Sequence, residues 1–111
     1  MTQITIFSQD PYITGFQIEG HSGYAEAGSD IVCAAISALA ITAVNALEEI
    51  LDIEPETDMG DGLMLVRLPR CLNSAVLPKA EIILRTAVIG FESVAQEYPK
   101  YVCILNGGAR R

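Results

Sequence analysis

The sequence predicts an α+β domain in which two helices pack on one face of a mixed or antiparallel sheet. Two long segments, at about 30–51 and 78–98, repeat apolar residues at helical spacing. Short runs with strand character precede each segment in pairs and follow the second once, which gives the order ββα-ββα-β. With 111 residues, half of them apolar and 19% charged, the chain suits a single domain covering 1–111.

The first two strands are predicted at 4–7 and 13–18, with a turn at Asp10-Pro11 between them. Both runs carry isoleucine and phenylalanine, which suit a half-buried pleated surface. The stretch 21–28 that follows is polar and contains two glycines, so we expect a mobile loop. The chain therefore begins with a hairpin that leads into this loop.

The first helix is predicted to begin at Ser29 or Asp30, because either side chain can accept hydrogen bonds from the free amides of a first turn. It is expected to end near Leu51. Apolar residues occupy nearly all of its faces, which is typical of a central, buried helix.

The second half repeats the order of elements without repeating the sequence. A short edge strand within 52–58, a hairpin turn at 59–62 and a strand at 62–68 are expected first. The second helix should begin near Pro78, since proline is favoured in a first turn, and end before Pro99.

A last strand at 101–105 and a frayed tail at 106–111 complete the predicted elements. In the second helix, Ile82 and Ile89 lie off the main apolar face. Because exposed apolar patches usually mark an interface, and two-fold pairing is the commonest assembly, we expect a homodimer.

Charge and composition exclude several classes of function. Fourteen acidic residues against seven basic ones give a net charge of −7, which repels phosphate backbones, so we expect no direct nucleic-acid binding. The longest apolar run, at 31–47, is interrupted by polar residues, whereas a membrane span needs roughly 18 apolar residues or more. No secretory signal is visible at the N-terminus. We therefore expect a cytoplasmic protein without a membrane partner.

The three cysteines, Cys33, Cys71 and Cys103, are odd in number and widely spaced, as free thiols in a reducing compartment are. A zinc site needs about four ligands at close paired spacing, so we expect no metal and no cofactor. The absence of a Cys-x-x-Cys motif argues against disulfide exchange. A hairpin turn explains Asp58 and Asp61 better than a cation site does.

One histidine and one cysteine form the strongest candidate for chemistry. His21 lies at a predicted strand end, and Cys33 falls in the first turn of the first helix, where the helix dipole favours a negatively charged sulfur. An imidazole beside a thiolate can activate it and later protonate a leaving group. The alternative is equally open on these grounds, because a buried cysteine often serves only as a small apolar side chain.

The segment Gly20–Ser37 resembles the signature of the ribosomal-processing cysteine protease family, Prp. It contains a Gly-His pair, a short glycine-bearing loop, then Asp-Ile-Val-Cys-Ala, and Ser37 one turn later. The Val44-Asn45-Ala46 step is also similar to the family. Ser22 departs from the pattern, because alanine is common at that position.

This resemblance implies a small homodimeric bacterial protease that removes an N-terminal extension from a large-subunit ribosomal protein. By position, Cys33 would be the nucleophile and His21 the general base and acid, and the loop between them would close over the peptide. The residues expected to support the site or bind substrate are Gly20, Ser22, Gly23, Tyr24, Gly28, Asp30 and Ser37. The competing hypothesis is a non-catalytic acidic dimer that binds a basic ribosomal protein, which the charge of −7 suits equally well.

Overall fold

The computed structural model describes residues 1–26 and 28–108, and within them five strands and two helices follow the predicted order. Their bounds are β1 Thr2–Gln9, β2 Tyr12–Glu19, α1 Ile31–Leu51, β3 Glu56–Gly60, β4 Leu63–Arg67, α2 Leu77–Glu97 and β5 Val102–Gly108.

The five strands form one sheet in the order β3-β4-β2-β1-β5. All neighbours are antiparallel except β1 and β5, which run parallel, so the sheet is mixed. The register sets Thr2 opposite Val102 and Glu19 opposite Leu63. The starts of β1, β4 and β5 and the ends of β2 and β3 therefore share one end of the sheet, where the loop to α1 also leaves.

Both helices cover the same face of this sheet, as predicted. Along β1, Ile4 and Ile6 are buried in a core that includes residues of both helices, whereas Gln3, next to Ile4, is exposed, as strand alternation requires. Phe16 of β2 and Phe91 of α2 meet edge to face with their ring centroids 5.1 Å apart. This pair joins the middle of the sheet to the second helix.

Helix α1 corrects one expectation, because it is not a helix buried on all sides. Its buried stripe consists of Val32, Ile36, Ala40, Ala43, Val44 and Leu47. The opposite face exposes Ile31 and Ile41 at 54% and 46%, and Ile50 at the end of the helix is 71% exposed. A two-layer domain has no third layer to cover that face. By length and composition α1 is apolar enough to cross a membrane, as core helices of soluble proteins also are, and here it packs through its stripe.

The predicted frayed tail is wrong for residues 106–108, which continue β5. Asn106 pairs with Ile6 and Gly108 with Phe7, so the parallel ladder holds their backbone in the sheet. A Cβ on Gly107 would lie 2.5 Å from a methyl of Thr5, so this close approach requires glycine. The remaining tail, 109–111, and Ala27 of the predicted loop lie outside the described residues.

The predicted second hairpin is confirmed, with β3 at the edge of the sheet and Asp61-Gly62 as its turn. Gly62 adopts a φ of +68°, a left-handed conformation that glycine accepts at little cost. Its carbonyl accepts a hydrogen bond of 2.9 Å from the Gly20 amide. That bond brings the hairpin turn beside the end of β2, where His21 follows.

Candidate active site

The start of α1 is held by one side chain, that of Asp30. Asp30 is the N-cap, and its Oδ1 accepts hydrogen bonds of 3.0 Å each from the amides of Val32 and Cys33. These amides have no partner within the helix, so the carboxylate satisfies two of its free donors. Cys33 is thereby fixed in the first turn, as the sequence predicts.

The second carboxylate oxygen of Asp30 faces the loop before the helix. Oδ2 accepts from the Ser22 hydroxyl and, at 3.5 Å, from the Ala25 amide. Burial alone would raise the pKa of Asp30, but hydrogen bonds from Ser22, Cys33 and Ala25 outweigh it and lower that pKa to about 2. Asp30 is thus a permanent anion at neutral pH that anchors the loop rather than a general base.

Ser22 connects this anchor to the candidate nucleophile. Its amide donates to the Cys33 Sγ at 3.4 Å, and its hydroxyl accepts from the Tyr24 amide at 3.2 Å. The side chain is buried. A serine at this position therefore ties the sulfur, the helix cap and the root of the loop together.

His21 lies beside the β3–β4 hairpin turn. Its Nε2 lies 3.4 Å from Oδ1 of Asp61, and both side chains are open to water. A Cβ on Gly62 would come within 3.4 Å of the same ring nitrogen. The β3–β4 turn thus supplies both a charged neighbour and free space for the imidazole.

The structure brings His21 and Cys33 into one cavity of about 160 Å³ at the end of the sheet. Gly20 and Ser37, both expected at the site, line it too. A second, wider hollow on the outer side is lined by His21, Ala25, Gly28, Asp30, Cys33, Ala34, Ser37 and Asp61. The two candidate reacting groups therefore line two open spaces, of about 160 and 660 Å³.

The loop between the two candidate groups is anchored at its start and exposed further on. Gly23 and Gly28 adopt φ values of +77° and +88°, and apart from the chain neighbours no atom of the described residues lies within 4 Å of a Cβ built on either one. Tyr24 packs edge to face against Tyr98 and Tyr101, with ring centroids 5.6 and 5.3 Å away. In this conformation Tyr24 packs at the C-terminal end of α2.

The other two cysteines lie away from the cavity linings. Cys71 is exposed in the loop after β4, and Cys103 is half-buried on β5 opposite Gln3, on the face of the sheet away from the helices. Among the described residues no group of three His, Cys, Asp or Glu side chains is placed to hold a metal ion.

Sequence reasoning missed two residues at this site, Asp61 and Thr2. Asp61 was assigned only to a hairpin turn, because nothing in the sequence shows which turn faces His21 until the strand order is known. Thr2 lines the cavity with a fully buried hydroxyl. Thr2 could have been found from the sequence, because residues 2, 4 and 6 of a strand point to the same face and Ile4 and Ile6 mark that face as the buried one.

Comparison with known proteins finds the same family that the segment carrying His21 and Cys33 resembles. A family model described as "Cysteine protease Prp" matches residues 1–103. The ribosomal processing cysteine protease Prp of Bacillus subtilis is 33% identical over 101 residues, covering 88% of this chain and 90% of that protein. The corresponding Staphylococcus aureus protein is 30% identical over 88 residues, covering 78% and 79%.

Two solved structures are similar to this chain over 96% of its length. The S. aureus Prp protease in complex with a covalently linked product peptide is similar with a TM-score of 0.84 at 27% identity, covering 96% of this chain and 99% of that one. Its complex with a substrate peptide gives a TM-score of 0.79 at 25% identity, with the same coverage. Sequence and fold together show that this chain belongs to the Prp family of ribosomal-processing cysteine proteases.

Proposed function

We propose that this protease uses Cys33 as nucleophile and His21 as general base and acid to remove an N-terminal extension from a large-subunit ribosomal protein. The observation that carries the proposal is the shared cavity: the one histidine of the chain and the first-turn cysteine of α1 line it together. The family membership favours this reading over the non-catalytic binding module.

In the proposed reaction, the Cys33 thiol gives its proton to His21 and the sulfur attacks the scissile carbonyl carbon. The tetrahedral intermediate collapses, the C–N bond breaks, and His21 returns the proton to the leaving amine. Water, deprotonated by His21, then hydrolyses the thioester, releasing the carboxyl product and restoring the thiol. The product peptide covalently linked in the S. aureus structure supports a covalent route.

Asp30 and Ser22 act in this proposal as positioning residues. The carboxylate fixes the Cys33 amide and the Ser22 hydroxyl, while the Ser22 amide contacts the sulfur. His21 is the residue before Ser22, so its backbone is held by the same network. Gly20 and Ser37 line the space in which the peptide would lie.

We propose further that residues 22–29 form a lid over the bound peptide. Gly23 and Gly28 supply backbone freedom at its two ends, and Tyr24 leaves its contacts with Tyr98 and Tyr101 when the lid closes. A closed lid would exclude water and order the dyad, as closing loops do in other enzymes. The net charge of −7 favours the association of the protease with a basic ribosomal protein. Because its substrate is a ribosomal protein, we expect the protease to act in the cytoplasm.

We propose that two copies of the chain pair through the outer face of the helices. Ile82 and Ile89 expose 66% and 57% of their surface, and Ile41 of α1 exposes 46%. Between the helices runs an apolar groove lined by Ala38, Thr42 and Ile82 among others. Light scattering at micromolar concentration should give about twice the 11.9 kDa chain mass, and a monomer at that concentration would contradict pairing.

The test of the proposed function is cleavage of a peptide that spans the N-terminal extension and first residues of the host's large-subunit ribosomal protein. We expect the wild type to cut it once, and Cys33→Ala to lose activity by about a thousandfold or more while keeping its fold. Cys71→Ala is the matched control and should cleave like the wild type. Full activity of Cys33→Ala would end the proposal; folded wild type that binds the peptide without cutting it would favour the binding module.

A further inference from the structure

The sheet ends at one edge in β3, Glu56–Gly60, and all five residues of this strand are exposed. Within the described residues no strand lies beyond β3, so one side of its backbone has no partner in the sheet. Such an edge offers a row of N–H and C=O groups to an extended chain that comes alongside. Adding a strand to an exposed edge is a common way of binding a peptide.

The hydrogen bonds at the two ends of β4 show which way its backbone groups point. Leu68 donates to Thr14 of β2 at 2.8 Å, and Gly62 accepts from Gly20 at 2.9 Å. Because backbone groups alternate between the two sides of a strand, the even-numbered residues of this segment bond towards β2. The odd-numbered residues of β4 therefore bond to β3.

The same alternation identifies the free backbone groups of β3. Leu65 lies opposite Asp58, so these two residues bond to each other. The neighbours of Asp58 along the strand, Thr57 and Met59, direct their N–H and C=O groups to the outer edge. Two residues, spaced as an added strand requires, are thus available for pairing.

This edge continues into the candidate active site. β3 runs towards the cavity that His21 and Cys33 share, and its last residue, Gly60, lines that cavity. No described residue of β5, the strand at the other edge of the sheet, lines either space that contains the reacting pair. Of the two edges, β3 is therefore the one that leads to the scissile bond.

The direction of β3 favours one part of the substrate. Antiparallel strand pairs outnumber parallel ones about two- to threefold. A peptide antiparallel to β3 runs away from the cavity, so the residues beside β3 are those that follow the scissile bond. They are the first residues of the processed ribosomal protein.

The charge of the edge favours a basic segment over a second copy of this chain. Asp58 is exposed, and the residue opposite it in an added strand would place its side chain on the same face. A lysine or arginine there forms a cross-strand pair of opposite charge. Two copies paired antiparallel about Asp58 would instead set this carboxylate against its counterpart, which destabilises a strand pair.

We infer that the outer edge of β3 is the docking strand for the substrate segment that follows the scissile bond. This segment pairs antiparallel with Thr57 and Met59 and carries a basic residue opposite Asp58. The inference rests on the proposed function, since it names the part of the substrate that lies beside the site. Thr57 and Met59 act through their backbone, and none of the three residues takes part in the proton transfers.

Amide hydrogen exchange followed by NMR tests the docking in the Cys33→Ala chain, which leaves the peptide uncut. The probe is a peptide that spans the N-terminal extension and the first residues of the processed ribosomal protein. Without it, the amides of Thr57 and Met59 should exchange quickly and that of Asp58 slowly. Saturating peptide should slow Thr57 and Met59 by about tenfold or more. Unchanged exchange of both amides in the saturated complex would overturn the inference.

Thr57→Pro removes one outward amide at a position where an edge strand accepts proline. In the Cys33→Ala background it should weaken peptide binding, measured by fluorescence anisotropy, by about tenfold. Thr57→Val is the matched control, because it keeps the amide, and it should bind like the parent chain. Equal binding by the two variants would overturn the backbone pairing.

N-methylated peptides test the same pairing without changing the protein. Methylation of alternate amides after the scissile bond should weaken binding, whereas methylation of the amides between them should not, because only every second amide faces β3. The absence of this alternation, or its presence only before the scissile bond, would overturn the assigned segment. These peptides decide the matter if Thr57→Pro does not fold.

Asp58→Asn tests the basic residue. It should weaken binding of a peptide with lysine at the opposite position by about threefold at low salt. Glu49→Gln removes an equal charge near the far end of α1 and should leave binding unchanged. Equal losses in both variants would assign the effect to net charge and overturn the pairing with Asp58.

Cleavage by the chain with Cys33 intact separates this inference from the proposed function. Cleavage without protection of Thr57 and Met59 would overturn only the docking strand. Protection without cleavage would overturn the protease mechanism and keep the docking strand.

Discussion

Asp30 and Asp61 both border the space around His21 and Cys33, but one carboxylate is buried and the other lies in water. Asp30 is 8% exposed and accepts from the side chain or backbone of Ser22, Ala25, Val32 and Cys33. The Asp61 side chain is 99% exposed, and its Oδ1 lies 3.4 Å from Nε2 of His21. Through its hydrogen bonds the buried Asp30 joins the loop to the start of α1, whereas the exposed Asp61 reaches the site only through His21, so we expect the two acids to differ in their effect on the site.

Of the two acids, Asp30 should give the larger effect when it is replaced by alanine. Loss of the N-cap should lower the free energy of unfolding by about 0.5–2 kcal/mol, and the resulting displacement of Cys33 should reduce kcat/KM by about a hundredfold. Urea unfolding and peptide cleavage measure the two quantities.

Asn73→Ala is the control for Asp30→Ala at the other helix. Asn73 Oδ1 accepts from the Ala75 amide at 2.7 Å just before α2, where the N-cap Val76 makes no side-chain cap. This variant should lose stability but not activity. If it impairs cleavage as strongly as Asp30→Ala does, general destabilisation explains both.

The acid stability of the fold should depend on Asp30. Its pKa of about 2 lies below the ordinary value of 3.8, so the ionised carboxylate favours the folded state. This contribution is fully present above the ordinary value and is lost as the pH falls through about 2. As the pH falls from 3.8 towards about 2, the stability of Asp30→Asn should therefore decrease less than that of the wild type. Thermal unfolding at several pH values measures this difference. Parallel curves for wild type and variant would contradict this.

The reactivity of the three thiols should follow their surroundings. At neutral pH Cys33 should react with iodoacetamide faster than Cys71 or Cys103, because the His21 imidazole that lines the same cavity can accept the thiol proton as the sulfur attacks. Cys103 is the better control than the exposed Cys71, because Cys33 and Cys103 are both half-buried and a difference between their rates does not come from exposure alone. Mass-spectrometric mapping gives the three rates, and equal rates would favour a purely structural Cys33.

The smallest effect is expected from Asp61→Asn. Exposed ion pairs contribute about 0.2–1 kcal/mol and are screened by salt, so kcat/KM should fall by about fivefold at most. The difference between wild type and Asp61→Asn should shrink at about 1 M salt. A loss as large as that of Asp30→Ala, persisting in high salt, would make Asp61 an equal partner in positioning His21.

The elements and the core of the site were predictable because their signals are local. Asp30 is a good N-cap type directly before an apolar helical run, and Cys33 follows in the first turn. Paired strand-like runs before each helix gave the element order. The roles of His21 and Cys33 remain predictions that cleavage experiments decide.

The missed features depend on contacts between distant parts of the chain. The parallel pairing of β5 with β1 extends the strand through Asn106, although glycines favour a loop locally. The outer face of α1 also carries apolar residues, among them Ile31, Ala38 and Ile41, so the presence of apolar residues alone does not show which side is covered. Asp61 and Thr2 join the site only through the strand order.

Because β1 and β5 run parallel, Met1 and Gly108 lie at opposite ends of the sheet, and this decides which terminus can carry a tag or linker. Met1 lies at the end of the sheet that holds the cavity, with its carbonyl oxygen near Gly20, whereas Gly108 pairs with Phe7 at the opposite end. A purification tag or surface linker fused ahead of Met1 would crowd the peptide's entry. Attachment beyond Gly108 leaves that entry free, so immobilised binding assays should use the C-terminal side.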